Sequence, residues 1–189
     1  MRILLIAGMP GAGKEELLNV ARSMGIPFLR MGDIVRQFHA DSGAEREGLS
    51  VGQVANRERE LHGKNIWAKR AIERMSGDIF LVDGCRSMDE VRSYRELSDQ
   101  VYIIAVHAPR MTRYERLVAR GRDDAPRDME EFDARDEREM GWGLSDVIAL
   151  ADRMIVNDSD LDSFRTKVKE TLEMMRRSSP PPVCAGGRP

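Results

Sequence analysis

The segment Gly8-Met9-Pro10-Gly11-Ala12-Gly13-Lys14-Glu15 has the residue types and spacing of a loop that binds phosphate. In the pattern GxxxxGK[ST] a strand runs into a glycine-rich turn that opens a helix. The glycines let the backbone curl so that successive N–H groups converge on a phosphate at the helix's positive end, and Lys14 adds a full charge aimed at a transferring group. The strand-like run Ile3 to Ala7 precedes the segment and a helix-like run follows it. One position departs from the pattern. Where a Ser or Thr hydroxyl would coordinate magnesium, the chain has Glu15, longer and negatively charged.

Three further groups of residues could act on the same phosphates. Met31-Gly32-Asp33-Ile34-Val35-Arg36 sets a carboxylate and a guanidinium about one helical turn apart at a helix start, where both can face a common ligand. In isolation the same residues read as an N-cap aspartate with an exposed arginine. Phe80-Leu81-Val82-Asp83-Gly84-Cys85-Arg86 ends a buried strand in an aspartate, the usual place for a group that holds magnesium, commonly through water. Gly84 allows close approach of a ligand, Arg86 can grip a phosphate with its planar fork, and Cys85 reads as a small packed thiol. Arginines then cluster at 110, 113, 116, 120, 122, 127, 135 and 138, threaded with Asp123, Asp124, Glu130 and Glu131. Many of these belong to a solvated, salt-bridged helix pair. Arg120, Arg122, Arg135 and Arg138 are the candidates for a lid that closes over the phosphates, with Gly121, Pro126 and Gly141 as hinges.

The elements that must position these residues follow from the apolar pattern. Strands are expected at Ile3–Ala7, Pro27–Leu29, Ile79–Val82, Val101–Val106 and Met154–Val156. Helices are expected at Glu15–Met24, Asp33–Ala40, Val51–His62, Asn65–Met75, Met88–Leu97, Met111–Arg120, Asp128–Met140 and about Leu161–Arg176. Short apolar strands alternating with helices predict an α/β fold with a doubly wound, five-stranded parallel sheet, its ligands at the strands' C-terminal ends. The expected organisation is one domain over residues 1–177 and a disordered, Pro- and Gly-rich tail over 178–189.

Composition narrows the classes. The 189 residues suffice for one domain with a sizeable core, and 30 basic against 32 acidic residues leave no global field for nucleic acid or anionic lipid. Nucleic acid is not an expected partner, because acidic residues interrupt the arginine-rich stretch. No apolar run is long enough to span a bilayer and Met1 to Ala7 reads as a core strand, so a cytoplasmic protein is expected. Two cysteines, Cys85 and Cys184, make neither a disulfide framework nor a metal-spaced pair, and the scattered His39, His62 and His107 are not expected to bind zinc.

Taken together, Gly8 to Lys14, Gly32-Asp33 with Arg36, Asp83-Gly84 with Arg86, and Arg116, Arg120 and Arg122 before a short charged lid resemble the nucleoside monophosphate kinase group of P-loop NTPases. The ending from Ala151 to Asp158, followed by a helix, is similar to that of dephospho-coenzyme A kinases. With Gly141-Trp142-Gly143, the whole looks most like an archaeal adenylate kinase-like, dephospho-coenzyme A kinase-related family of uncharacterised proteins. The resemblance implies an ATP-binding core on Gly8 to Glu15, an acceptor-binding helical segment at about 33–75, and a lid at about 120–140. It also implies roles. Lys14 holds the β and γ phosphates, Asp83 the magnesium shell, and Arg36 and Arg86 the acceptor's phosphate, with Arg122 on the substrate side. Arg116 lies against adenine, Arg120 with Arg135 or Arg138 closes on the transferring group, and Asn157 to Ser159 touches the base through its backbone.

The expected activity is transfer of the γ-phosphoryl of ATP, with Mg2+, to a small nucleotide-like acceptor, either a nucleoside monophosphate or dephospho-coenzyme A. A monophosphate is ionised at neutral pH and needs no general base, whereas a hydroxyl acceptor needs one, for which Asp33 is the placed candidate. Glu15 leaves three outcomes open: direct coordination of the metal, an extra water in its shell, or weakened catalysis. The rival class is an ATP-binding switch or assembly factor with slow turnover.

Overall fold

Alternate residues of the apolar strands face opposite sides of one parallel sheet, and helices cover both. The computed structural model describes residues 1–44, 47–121 and 125–177. Its strands are β1 (Arg2–Ala7), β2 (Phe28–Arg30), β3 (Ile79–Asp83), β4 (Val101–His107) and β5 (Arg153–Val156), all parallel, in the order β2-β3-β1-β4-β5. The helices are α1 (Lys14–Ser23), α2 (Met31–Asp41), α3 (Val51–His62), α4 (Ile66–Ile72), α5 (Met88–Leu97), α6 (Arg110–Arg120), α7 (Met129–Gly141), α8 (Leu144–Ala149) and α9 (Leu161–Arg177). Among the described residues no helix is long and apolar enough to cross a membrane. The expected tail at 178–189 lies outside the described residues.

Parity along the strands sorts the core. Leu4, Ile6, Leu81, Ile104 and Ile155 pack with Leu17, Leu18 and Ala21 of α1 and Phe164, Val168 and Leu172 of α9. Ile3, Leu5, Val82 and Ile103 pack on the other face with residues of α2, α4, α5 and α8. Because β1 lies third of five, its C-terminal loop has β3 and β2 on one side and β4 and β5 on the other. The cleft above the sheet edge is thereby divided into two halves.

Beyond shifts of one or two residues at other helix ends, two helices differ from expectation. α4 ends at Ile72 rather than Met75, since Arg74 and Met75 donate to Ala71 and Ile72 in i→i−3 turns before Gly77, whose φ is 92°. α8 was not expected. It is six residues long, too short to present a periodic apolar face, and it starts on Gly143 in the left-handed region at φ 99°.

α2, α3 and α4 pack against one another within the core on the Ile3 and Leu5 face of the sheet. Trp67 is fully buried, donates from Nε1 to the Ala55 carbonyl at 3.2 Å and meets Phe38 edge-on at 5.7 Å. Arg70 lies over Phe38 and Trp67, 4.1 and 4.7 Å from their centroids, and pairs with Glu58 at 2.5 Å. Trp67→Ala is therefore expected to destabilise the protein by about 3–5 kcal/mol. Urea unfolding would show this as a lowered midpoint, and a midpoint equal to that of wild type would contradict the anchoring role.

Candidate functional site

The loop between β1 and α1 keeps its shape through glycine and through braces from distant helices. Gly11 (φ 80°) and Gly13 (φ 110°) occupy left-handed backbone, and a Cβ at Gly11 would lie 2.7 Å from the Arg113 carbonyl oxygen. A Cβ at Gly13 would run into the Asn157 amide. Asn157, 5% exposed, donates from Nδ2 to the Ala12 carbonyl at 2.9 Å. Arg113, 6% exposed, donates to the Pro10 carbonyl at 3.2 Å and holds Asp136 of α7 through two bonds of 2.9 and 2.5 Å. The loop is thus tied to β5 and to α6–α7 before any ligand is considered.

A cavity of about 540 Å³ opens over this loop. Gly8, Pro10, Gly11, Gly13, Lys14 and Glu15 line it, whereas Met9 packs against the core and Ala12 is buried in it. Lys14 donates from Nζ to the carbonyls of Gly8 at 2.5 Å and Met9 at 3.2 Å. Desolvation pulls its pKa below the ordinary lysine value, against the attraction of Asp83. Asp83 pairs in register with Ile6 of β1 and with Arg30 of β2. Desolvation raises its pKa, partly opposed by Lys14, Arg86 and Arg30, and its Oδ1 is buried with no hydrogen-bond partner. An orphaned carboxylate oxygen beside a phosphate loop fits a hard cation or its water. Glu15, the other expected metal ligand, accepts a bond from Arg30 Nη2.

On the β2–β3 side the wall carries Arg30, Arg36 and Arg86. α2 starts at Met31, so Asp33 is its third residue rather than its N-cap. Asp33 is not on the cavity wall. Its carboxylate pairs with Arg36, both side chains being more than half exposed. Arg86 donates from Nε to Glu139 of α7 at 2.6 Å and lies 5.2 Å from the Trp142 ring. Burial alone would lower the Arg86 pKa, but Glu139, Glu90 and Asp83 reverse the sign and hold it above the ordinary arginine value. Arg59 of α3 also lies over Trp142, 5.0 Å from the ring centroid, and is itself 4.0 Å from the buried Glu90. Cys85 is fully buried and its pKa is pushed well up by desolvation, as a packed thiol requires.

On the β4–β5 side lie Arg116, Arg120, Arg135 and Asn157. Arg116 Nη2 donates to Asn157 Oδ1 at 3.2 Å, while its Nη1 is buried without a partner. Of the two alternative lid arginines, Arg135 lines the cavity and Arg138 is turned to solvent. Arg122, Asp123 and Asp124 lie outside the described residues.

Sequence reasoning missed Arg30 and Glu139. Arg30 had a signal: it follows Phe28 by two residues, so it must share that face with Leu81 and Asp83 across the β2–β3 register. Glu139 had none, because its partner is 53 residues away in the chain.

The AAA domain family matches residues 7–133. A UPF0200 protein of Hyperthermus butylicus is 46% identical over 176 residues, covering 92% of this chain and 94% of its own. Another, from Thermoplasma volcanium, is 40% identical over 171 residues, covering 90% and 96%. A shikimate kinase from Bacteroides thetaiotaomicron shares the fold, with a TM-score of 0.61 at 14% identity over 93% of this chain and 98% of that one. A gluconokinase from Sinorhizobium meliloti does so with a TM-score of 0.58 at 14% identity over 92% and 93%. The α/β sheet therefore has the fold of these two kinases, and the chain carries an AAA domain and belongs to the UPF0200 family of archaeal proteins.

Proposed function

We propose that the chain is a magnesium-dependent phosphotransferase that moves the γ-phosphoryl of ATP to a small, phosphate-bearing acceptor of the nucleotide type. The observation that carries this reading is the distribution of charge in the cleft. Lys14 and the loop N–H groups stand at its centre, Arg30, Arg36 and Arg86 on the β2–β3 side, and Arg116, Arg120 and Arg135 on the β4–β5 side. Guanidiniums on both sides of a phosphate loop suit two phosphorylated ligands meeting end to end, each gripped by planar donors.

In this reading one domain spans 1–177, with α2 to α4 as the acceptor segment and the stretch at about 120–140 as the lid. Magnesium, when bound, would supply charge neutralisation to the phosphates. Asp83 holds its shell, Lys14 neutralises the transferring group, and Arg120 and Arg135 close over it. Arg116 borders the base together with the chain at Asn157. Arg36 and Arg86 take the acceptor's phosphate. Glu15, Asp33 and Glu139 are each engaged by an arginine, which supports a phosphate acceptor over a hydroxyl one. With dephospho-coenzyme A, Asp33 would have to leave Arg36 before it could take a proton. The competing reading, an ATP-dependent switch with slow turnover, draws its support from Glu15 in the hydroxyl's place.

ADP formation from Mg·ATP against a panel of nucleoside monophosphates and dephospho-coenzyme A tests the proposal. Acceptor-dependent turnover is expected, with Lys14→Ala lowering kcat about 10²–10³-fold. Tight ATP binding with no acceptor-dependent ADP would favour the switch. On the lid, Arg135→Ala is expected to lower kcat at least about tenfold, whereas Arg138→Ala stays within about twofold of wild type. The reverse order would refute the assignment of Arg135.

The raised pKa of Asp83 has a stability consequence. Between the ordinary aspartate value and this raised one, the folded state binds more protons than the unfolded, so stability falls as pH rises through that window. Asp83→Asn, which cannot ionise, is therefore expected to be more stable than wild type at pH 8 and catalytically dead. The two stabilities should converge as pH falls to about 4. Denaturant unfolding across pH measures this, and a less stable Asp83→Asn at pH 8 would be the contrary result.

A further inference from the structure

The end of β2 adds a guanidinium that the motifs do not assign. Arg30 shares the α1 side of the sheet with Asp83, its register partner on β3. Two opposite charges so placed are expected to pair, yet Arg30 Nη2 donates to Glu15 and Asp83 Oδ1 has no hydrogen-bond partner. The Arg30 side chain is 25% exposed, its Nε is buried, and it lines the cavity on the acceptor side. It is wedged in the wall rather than free to sweep the cleft.

Glu15 is the group that decides between these partners. It is the second residue of α1, on the same side of the sheet as Arg30, so it draws the guanidinium toward α1 and off Asp83. That leaves the Asp83 oxygen for a cation and keeps a third arginine, with Arg36 and Arg86, at the acceptor end. Paired to Glu15, Arg30 can still grip an anion through its other N–H groups, because a guanidinium carries five donors.

We propose that Glu15 is a positioning residue that holds Arg30 away from Asp83, and that Arg30 binds an anionic group of the acceptor. The acceptor class is accordingly a phosphate monoester or a similarly charged anion. This rests on the phosphotransferase reading above. It differs from metal ligation by Glu15 in what happens when both residues are removed.

The test uses the full chain saturated with Mn2+ and a non-hydrolysable ATP analogue. Mn2+ affinity is read by electron paramagnetic resonance, inorganic phosphate binding by calorimetry, and folding by circular dichroism. Arg30→Ala is expected to weaken phosphate binding about tenfold or more while leaving Mn2+ affinity intact. Glu15→Gln is expected to weaken both, since Arg30 then pairs with Asp83. The double variant Glu15→Gln/Arg30→Ala should regain wild-type Mn2+ affinity and remain as poor for phosphate as Arg30→Ala. Should Glu15→Gln fail to fold, Glu15→Asp, one methylene shorter, serves the same cycle and is expected to lose less. Mn2+ affinity that stays low in the double variant would make Glu15 a ligand and overturn the proposal, as would an Arg30→Ala protein that binds phosphate like wild type. Wild type that fails to bind the Mn2+ analogue complex would remove the phosphotransferase reading itself, and this inference with it.

Discussion

A lysine and an aspartate partly desolvated at the same sheet edge are the constraint around which this protein is organised. Desolvation works against the charge on both Lys14 and Asp83, and each is supported by the other. An arrangement that costs solvation on both sides persists only where the backbone leaves it no alternative. The backbone here is the loop Gly8 to Lys14, closed by left-handed glycines and pinned at Pro10 by Arg113 and at Ala12 by Asn157. Those two braces come from α6 and from the end of β5, so the loop's shape is a property of the whole β4–β5 half.

The same physics sorts the arginines. A guanidinium costs solvation to bury, so each one withdrawn from water has carboxylates or aromatic faces around it. Arg113 has Asp136 and Phe132, Arg70 has Glu58, Phe38 and Trp67, and Arg59 has Glu90 and Trp142. These three knit helices together. Arg30, Arg36, Arg86, Arg116, Arg120 and Arg135 instead reach the cavity. Arg86 belongs to both groups. Its tie to Glu139 and its place against Trp142 connect the strand that bears Asp83 to α7 and, through Arg59, to α3. The β2–β3 side of the cleft and α7 therefore share a wall.

Strand order assigns the halves of that cleft. With β1 in the middle, a ligand on the glycine loop has the β2–β3 loops at one end and the β4–β5 loops at the other. The helices that follow β2 pack around Trp67 on the Ile3 and Leu5 face of the sheet, and α6 and α7 are locked to the loop through Arg113 and Asp136.

What the chain's order of residues determined by itself is local: five apolar strands, the glycine loop, and the aspartate at the end of β3. Each depends on neighbours within a few residues, through strand alternation, backbone freedom at glycine and burial of a short apolar run. The bounds of α3 and α5 were equally legible, at Val51–His62 and Met88–Leu97, and in the structure Ser50 and Ser87 cap their starts. Only the tertiary structure decided the pairings of charge. That Arg113 braces Pro10, that Arg135 and not Arg138 meets the cavity, that Asp33 pairs with Arg36 off the wall, and that Arg30 takes Glu15 rather than Asp83 Oδ1 depend on helix rotations and long-range register. Charge–charge partnership is set by distance and desolvation in three dimensions, and neither is encoded in the spacing of arginines along a chain that carries them every few residues.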